Sequence, residues 1–232
     1  MRVAVIENMR ISHTGQVGVA LAEAGADIDV IRAYAGEPLP SGTGDYDALV
    51  VLGGEQNARD DDRHPYLPEL ASLMRAYGDA GKAVLGICLG SQLLARAYGG
   101  DNVIGGAPEF GWQAIQLTPD SNKDPVLSAA VTGFPTFQWH DDTFTLPEGA
   151  VRLAENTATP NQAFRVGRAA YGMQFHFEAS RAVIDAWKAD FAEVIAAKAP
   201  GWLDSHSEHA ERHGPDADAA GLAIARAWVA QI

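Results

Sequence analysis

Three short apolar runs stand in the first ninety residues, at 3–6, 48–52 and 83–87, and a fourth at 28–31 is broken only by Asp29. Strands that are apolar throughout are those buried on both faces, as in parallel sheets. Helical patterns lie between them. Thr14 is a candidate N-cap for a helix carrying Val17, Leu21 and Ala24 on one face and ending at Gly25. Pro65 precedes a second helix over 67–77, and residues 36–44, with Pro38 and Pro40, form a loop. Strand and helix in alternation predict an α/β fold with a doubly wound, mostly parallel sheet flanked by helices. Ligand sites in such sheets lie outside the carboxyl ends of the strands.

Beyond residue 98 the rhythm changes. The glycine pairs at 99–100 and 105–106 break the chain, and shorter alternating segments follow at 113–117, 136–139, 151–154, 163–166 and 170–175. These predict mixed, partly antiparallel strands covering one end of the sheet. Val183, Trp187, Phe191 and Ile195 make one apolar stripe of a helix that docks on the sheet and ends at Pro200-Gly201. A last amphipathic helix turns Leu222, Ala225, Val229 and Ile232 inward. No repeat or low-complexity linker divides the chain, so a single domain over 1–232 is expected. Residues 201–232 would be a C-terminal helical extension, shaping the substrate entrance or an oligomer interface.

The run at 83–87 leads into a helical pattern over 90–98 that carries Leu93, Leu94 and Ala97 on one face. Between the two stands Cys88, flanked by Gly86 and Gly90. A strand turning sharply into a helix strains the residue at the turn, and flanking glycines remove the Cβ clashes that would forbid it. The pattern predicts a thiol above the sheet at a helix N-terminus, where unpaired N–H groups and the helix dipole favour the thiolate. A buried structural cysteine fits G-x-C-x-G equally well. A second stretch, Tyr171-Gly172-Met173-Gln174-Phe175-His176-Phe177-Glu178, alternates as a strand and ends in His-x-Glu. Period two puts His176 and Glu178 on one side, where a carboxylate can hold one imidazole nitrogen and aim the other at a partner. A lone strand histidine is more often structural. Joined to the elbow, it completes a nucleophile, base and orienting acid of the kind used in acyl transfer.

Composition narrows the function classes. A chain of 232 residues with 47% hydrophobic residues can bury a sizeable core. Its formal net charge of -13 argues against nucleic acid or an anionic membrane as partner. One cysteine excludes an internal disulfide framework and suits a reducing cytoplasm. The N-terminus has one Arg and a short apolar run, the pattern of a first strand and not of a signal peptide. No apolar segment approaches the roughly 20 residues of a membrane span. A soluble, cytoplasmic protein is expected. Asp60, Asp61 and Asp62 project in different directions and predict a solvated loop more than a metal site. His206, His209 and His213 share a helical face, but their hydrophilic context and spacing favour no metal. Nothing in the chain calls for a cofactor.

The chain resembles the class I glutamine amidotransferases, in particular stand-alone proteins similar to the glutaminase part of GMP synthetase. The resemblance rests on five motifs in order: Leu52-Gly53-Gly54, the G-x-C-x-G-x-Q elbow from Gly86 to Gln92, Glu109-Phe110-Gly111-Trp112, Gln138-Trp139-His140-Asp141-Asp142-Thr143-Phe144, and His176-x-Glu178. It covers residues 1 to about 199 and implies the flavodoxin-like fold of that family. It implies Cys88 as nucleophile, His176 as base and Glu178 as its orienting acid. The backbone amides of Gly54 and Leu89 would form the oxyanion hole. Gln92 and the backbone around Trp139, His140 and Asp141 would hold the amino-acid end of the substrate.

The implied reaction is attack by the Cys88 thiolate on the γ-amide of glutamine or of a γ-glutamyl small molecule, release of ammonia or an amine, and hydrolysis of a γ-glutamyl thioester. Two departures from the family pattern stand out. Phe177 replaces a frequent proline between His176 and Glu178. Asp141 replaces a frequent glycine, which narrows the backbone and adds negative charge near the presumed α-carboxylate pocket. Three functions compete. The first is a glutaminase supplying ammonia to a separate synthase, since no ATP-pyrophosphatase or P-loop signature is present here. The second is a self-sufficient γ-glutamyl peptide or amine hydrolase. The third is an inactive interaction or redox-sensing protein, against which the complete set of three residues argues.

Overall fold

A computed structural model describes residues 1–130 and 133–232. Among these, eleven strands and six helices follow one another along the chain. The first half comprises β1 (Arg2–Glu7), α1 (Gly15–Glu23), β2 (Asp27–Arg32), β3 (Ala48–Val51), α2 (Leu67–Asp79), β4 (Ala83–Ile87) and α3 (Leu89–Ala97). Then come β5 (Asn102–Val103), β6 (Glu109–Leu117), β7 (Phe134–His140), β8 (Thr143–Phe144), β9 (Val151–Glu155), β10 (Ala163–Val166) and β11 (Ala170–Met173). The chain ends in α4 (Arg181–Asp190), α5 (Ala192–Lys198) and α6 (Trp202–Val229).

Nine strands form one sheet in the order β2-β1-β3-β4-β11-β10-β9-β6-β7. The first five are mutually parallel, and the remainder join antiparallel. The later strands therefore extend the sheet instead of covering one of its ends. Their edge-on pairing satisfies the backbone groups of β11 that a covering layer would have left open.

Period two explains why the parallel strands are apolar throughout. Val3, Val5, Val50, Leu85 and Ile87 face Val17 and Leu21 of α1 and Ile224 and Trp228 of α6. The intervening Ala4, Ile6, Leu49, Val51 and Val84 face Leu70, Met74 and Tyr77 of α2 and Leu93 and Leu94 of α3. Each strand thus serves two cores. An aromatic cluster forms a third core beyond the sheet's antiparallel half, from Trp112, Phe137, Trp187 and Trp202.

Several helices depart from expectation. Ala24 lies just past α1 and is exposed, and Thr14 makes no side-chain cap. Instead the Gln16 amide donates to the Glu178 carbonyl at 2.8 Å. The stripe from Val183 to Ile195 is split at Phe191 into α4 and α5, and it packs on the aromatic cluster. The C-terminal segment is one helix of 28 residues that continues through Pro215. Its inward face is Ile224, Ala225 and Trp228, whereas Leu222 is only half-buried. Among the described residues no helix is long and apolar enough to cross a membrane.

Trp228 is fully buried, and its indole N–H points to the Val84 carbonyl at 3.4 Å. The C-terminal helix is in this way bound into the main core. Trp228→Ala is expected to lower stability by about 3–5 kcal/mol, the cost of a large buried side chain and its cavity. Urea denaturation of the full chain reads that loss.

Candidate active site

Three parallel strands deliver their carboxyl ends to one place. β3 ends into Leu52-Gly53-Gly54, β4 into Cys88 and β11 into the segment bearing His176. Cys88 is the N-cap of α3 and has φ 52° and ψ -109°. It is the only non-glycine residue with positive φ among the described residues. The two flanking glycines are needed for close approach. A Cβ on Gly90 would lie 2.1 Å from the Val51 carbonyl oxygen, and one on Gly86 would lie 2.3 Å from the Gly90 carbonyl oxygen. No side chain fits either gap. Helix α3 can therefore start directly on the strand ends, which forces Cys88 through the strained turn.

His176 does not lie in the strand. β11 stops at Met173, and His176 makes an isolated antiparallel bridge to Phe137, donating its amide to the Phe137 carbonyl at 2.8 Å. Glu178 follows in a turn. The alternation expected over 171–178 thus ends early, because Phe137 of β7 captures the backbone at His176. The pairing survives by another route. His176 Nδ1 is 2.7 Å from Glu178 Oε1, and both side chains are buried. A Cβ on Gly53 would sit 3.2 Å from His176 Cε1 and 3.5 Å from Cys88 Cβ, so the imidazole and the thiol converge over that glycine.

Burial alone would pull the His176 pKa down. The Glu178 carboxylate and the hydrogen-bonded Cys88 outweigh it and push the imidazole up to about 10. Both neighbours of the ring thus favour its charged form.

The remaining candidates line a cavity of about 540 Å³ that opens on Cys88. Gly54, Leu89, Gln92, Trp139, His140 and Asp141 all contribute to its wall. The Leu89 amide belongs to the first turn of α3, where backbone donors have no intrahelical acceptor. The Trp139 carbonyl faces the thiol, 3.7 Å from Cys88 Sγ. Gln92 is buried, with Nε2 donating to Gln174 Oε1 at 3.2 Å. His140 is buried: Nδ1 lies 2.9 Å from the Asp142 carbonyl, and Nε2 lies 3.2 Å from Glu109 Oε2 without making a hydrogen bond. Asp141 does not have a positive φ, so its backbone needs no glycine. Its carboxylate is paired with Lys198 of α5, which offsets the added charge.

Behind this wall lies a buried polar chain that sequence inspection missed. Gln138 donates to Gln162 at 2.9 Å, and Gln162 to Glu109 at 2.6 Å. Asn156 reaches the other Glu109 oxygen at 2.5 Å. Gln138 inside the otherwise apolar β7, and Glu109 in a motif read there only as a point of resemblance, were its trace in the sequence. Trp187, read there as core, stands edge-on to the His176 ring with centroids 5.1 Å apart.

The loop acids and C-terminal histidines have other partners. Asp61 forms a two-pronged pair with Arg96 at 2.6 and 2.7 Å. His206 is buried against Trp202, with Nδ1 3.2 Å from Lys188 Nζ; burial first, then Lys188, lowers its pKa. His209 and His213 are ring neighbours at 5.9 Å. Among the described residues no group of three or more His, Cys, Asp or Glu side chains is arranged to hold a metal.

Comparison with known proteins adds to this geometry. The sequence matches the family model for class-I glutamine amidotransferase over residues 5–187. It is 33% identical over 181 residues to the glutamine amidotransferase-like protein YfeJ of Salmonella typhimurium, covering 77% of this chain and 76% of that protein. It is 30% identical over 159 residues to a subunit of the glutamine-hydrolysing GMP synthase of Methanoregula boonei, covering 68% of this chain and 79% of that protein. The crystal structure of a glutamine amidotransferase from Thermotoga maritima superposes with a TM-score of 0.84 at 27% identity, over 98% of each chain.

The raised pKa of His176 has a testable sign. An imidazole favoured in its charged form stabilises the fold fully below about pH 6.5, and that contribution is lost as pH rises through about 10. Nitrogen-15 NMR of the histidine rings at pH 8 is expected to show His176 still protonated, where an ordinary histidine is neutral. Cys88→Ala removes one of the favouring groups and is expected to move the titration to lower pH.

Proposed function

The chain belongs to the class-I glutamine amidotransferase family, and on that premise we propose that it hydrolyses the γ-amide of glutamine or of a γ-glutamyl compound through a thioester on Cys88. The observation that carries this reading is the convergence of a strained, helix-capping thiol with an imidazole that a buried carboxylate orients. Cys88 Sγ, as the thiolate whose proton His176 holds, attacks the γ-carbonyl. His176, charged and held by Glu178, gives its proton to the departing nitrogen as the C–N bond breaks. A water then loses a proton to His176 and attacks the thioester, which frees glutamate and returns the Cys88 thiolate beside the protonated His176. The developing oxyanion needs donors, and the amides of Gly54 and Leu89, which border the cavity beside Cys88, are the candidates. One such donor is commonly worth about 3–4 kcal/mol of barrier. Gln92 and the 139–141 backbone would hold the amino-acid end of the substrate in the same cavity.

A second reading, in which the chain donates ammonia to a separate synthase, draws on its similarity to a protein named as one subunit of a GMP synthase. The two readings share the chemistry at Cys88 and differ in the leaving group and in whether the chain acts alone. The pairing of Asp141 with Lys198 and the covering of the site by α4 and α5 favour a chain that completes its own pocket.

Both readings require the same three residues. A glutamine-like diazo-ketone is expected to add once to the folded protein, at its only thiol, and an intact mass without an adduct refutes the nucleophile. In steady-state assays Cys88→Ala should abolish turnover. His176→Ala should lower kcat on the order of 10²–10⁴-fold, the usual contribution of a general acid–base. Glu178→Gln should cost less, because Glu178 orients the imidazole and transfers no proton.

A further inference from the structure

Cys88 borders two cavities that differ in chemistry. The one of about 540 Å³ contains Gln92, His140 and the amide-rich Gly54–Leu89 wall. The other, about 410 Å³, also reaches Cys88, Gly54 and Trp139, but it alone contains His176 and Glu178. Its walls are largely apolar: Met9, Ile11, Trp139, Trp187, Phe191 and Val194. The aromatic part is pre-assembled, with Trp139 edge-on to Phe191 at 5.4 Å and to Trp187 at 5.8 Å. Ser12 donates to the Met9 carbonyl, and Lys198 is paired with Asp141, which also borders the chamber. Besides the His176–Glu178 pair, the other polar side chains are Glu55 and His13, whose buried Nε2 has no hydrogen-bond partner.

Position assigns this chamber a role. The group that leaves an acyl enzyme must depart where the acid can protonate it, and His176 faces the apolar chamber. Ammonia needs about the space of one water, roughly 30 Å³. A largely apolar, aromatic chamber more than ten times larger gains nothing from so small and polar a leaving group. It falls within the range of ordinary ligand sites. Its one lysine is already paired, and three carboxylates, Glu55, Asp141 and Glu178, line the same space, which disfavours an amino acid with its α-carboxylate.

We propose that the apolar chamber is a leaving-group subsite and that the substrate is the γ-glutamyl amide of an apolar, aryl-bearing primary amine. The inference rests on the thioester reading above. The glutamyl part lies in the polar cavity, and the aryl group lies between Trp187 and Phe191. As the C–N bond breaks, the amine nitrogen takes the His176 proton and leaves as the free amine, while the acyl group stays on Cys88 until water releases glutamate. No oxidant or cofactor enters the balance.

The test is a kcat/KM series on the full chain with L-glutamine, γ-glutamyl-ethylamide, γ-glutamyl-phenethylamide and γ-glutamyl-phenylalanine. The last two differ only in the α-carboxylate. The phenethylamide is expected to exceed glutamine and the phenylalanine peptide by about tenfold or more, the discrimination an apolar pocket gives for added apolar bulk. Val194 is half exposed on α5, so Val194→Asp leaves the core untouched while placing charge in the chamber. It should lower the phenethylamide-to-glutamine ratio about tenfold. Turnover of glutamine with equal or lower activity on the phenethylamide overturns the subsite and leaves the thioester chemistry standing, as does a ratio that Val194→Asp does not move. A phenylalanine peptide that matches the phenethylamide overturns the choice of amine. Absence of turnover across the series together with no adduct at Cys88 overturns the thioester reading itself.

Discussion

The approach of helix α3 to the ends of β3 and β4 is the contact on which the site depends. It is closer than any side chain permits, because the space a Cβ would need at Gly86 and Gly90 is already filled by backbone. That contact fixes the direction of α3 and with it the unfavourable backbone angles of Cys88. Strain of this kind persists only where the surroundings over-determine it. Here the apolar strands on both sides and the buried Leu93 and Leu94 of the helix supply that constraint. A thiol that sat on a relaxed loop would have neither the helix-end amides nor a fixed distance to the imidazole.

The histidine is held by a different device. Its segment leaves the sheet after Met173 and is fixed by three elements at once. β7 takes the His176 amide, α1 takes the Glu178 carbonyl, and α6 presses on the Phe177 carbonyl at Gly221, where a Cβ would lie 2.1 Å from that oxygen. Phe177 is itself buried in the main core. Packing thus stiffens a turn that a proline would stiffen covalently. The C-terminal helix contributes to the site through this backbone contact and through Trp202, which packs on Phe110, Trp112 and Phe137.

The buried Glu109 shows how a polar wall can be kept rigid inside an apolar sheet. An isolated carboxylate there would carry a desolvation penalty of several kcal/mol, so its hydrogen bonds to Asn156 and Gln162 are a condition of its presence. Gln162 in turn holds Gln138 in β7, the strand that carries the Trp139 carbonyl to the thiol. The wall and the orientation of that carbonyl are fixed together.

Much of this was legible in the chain. Continuous apolar runs separated by helical periods determine a parallel sheet, since only strands buried on both faces can be apolar at every position. The glycines around Cys88 and the spacing of His176 and Glu178 singled out three side chains that the structure brings together, because those constraints are local and short. The same local reasoning failed where partners are remote. Period two placed His176 in a strand, but the bond its amide donates to Phe137, nearly forty residues earlier, draws it out of β11. Asp141 read as an added charge until Lys198, 57 residues later, paired with it. Trp187 and Phe191 read as core because hydrophobic periodicity reports burial and not what a side chain is buried against. The apolar chamber beside His176 draws on residues from 9 to 198, and no pattern along the chain encodes it. Local periodicity determined the sheet and the thiol, whereas contacts between distant segments decided the shape and polarity of the space in front of it.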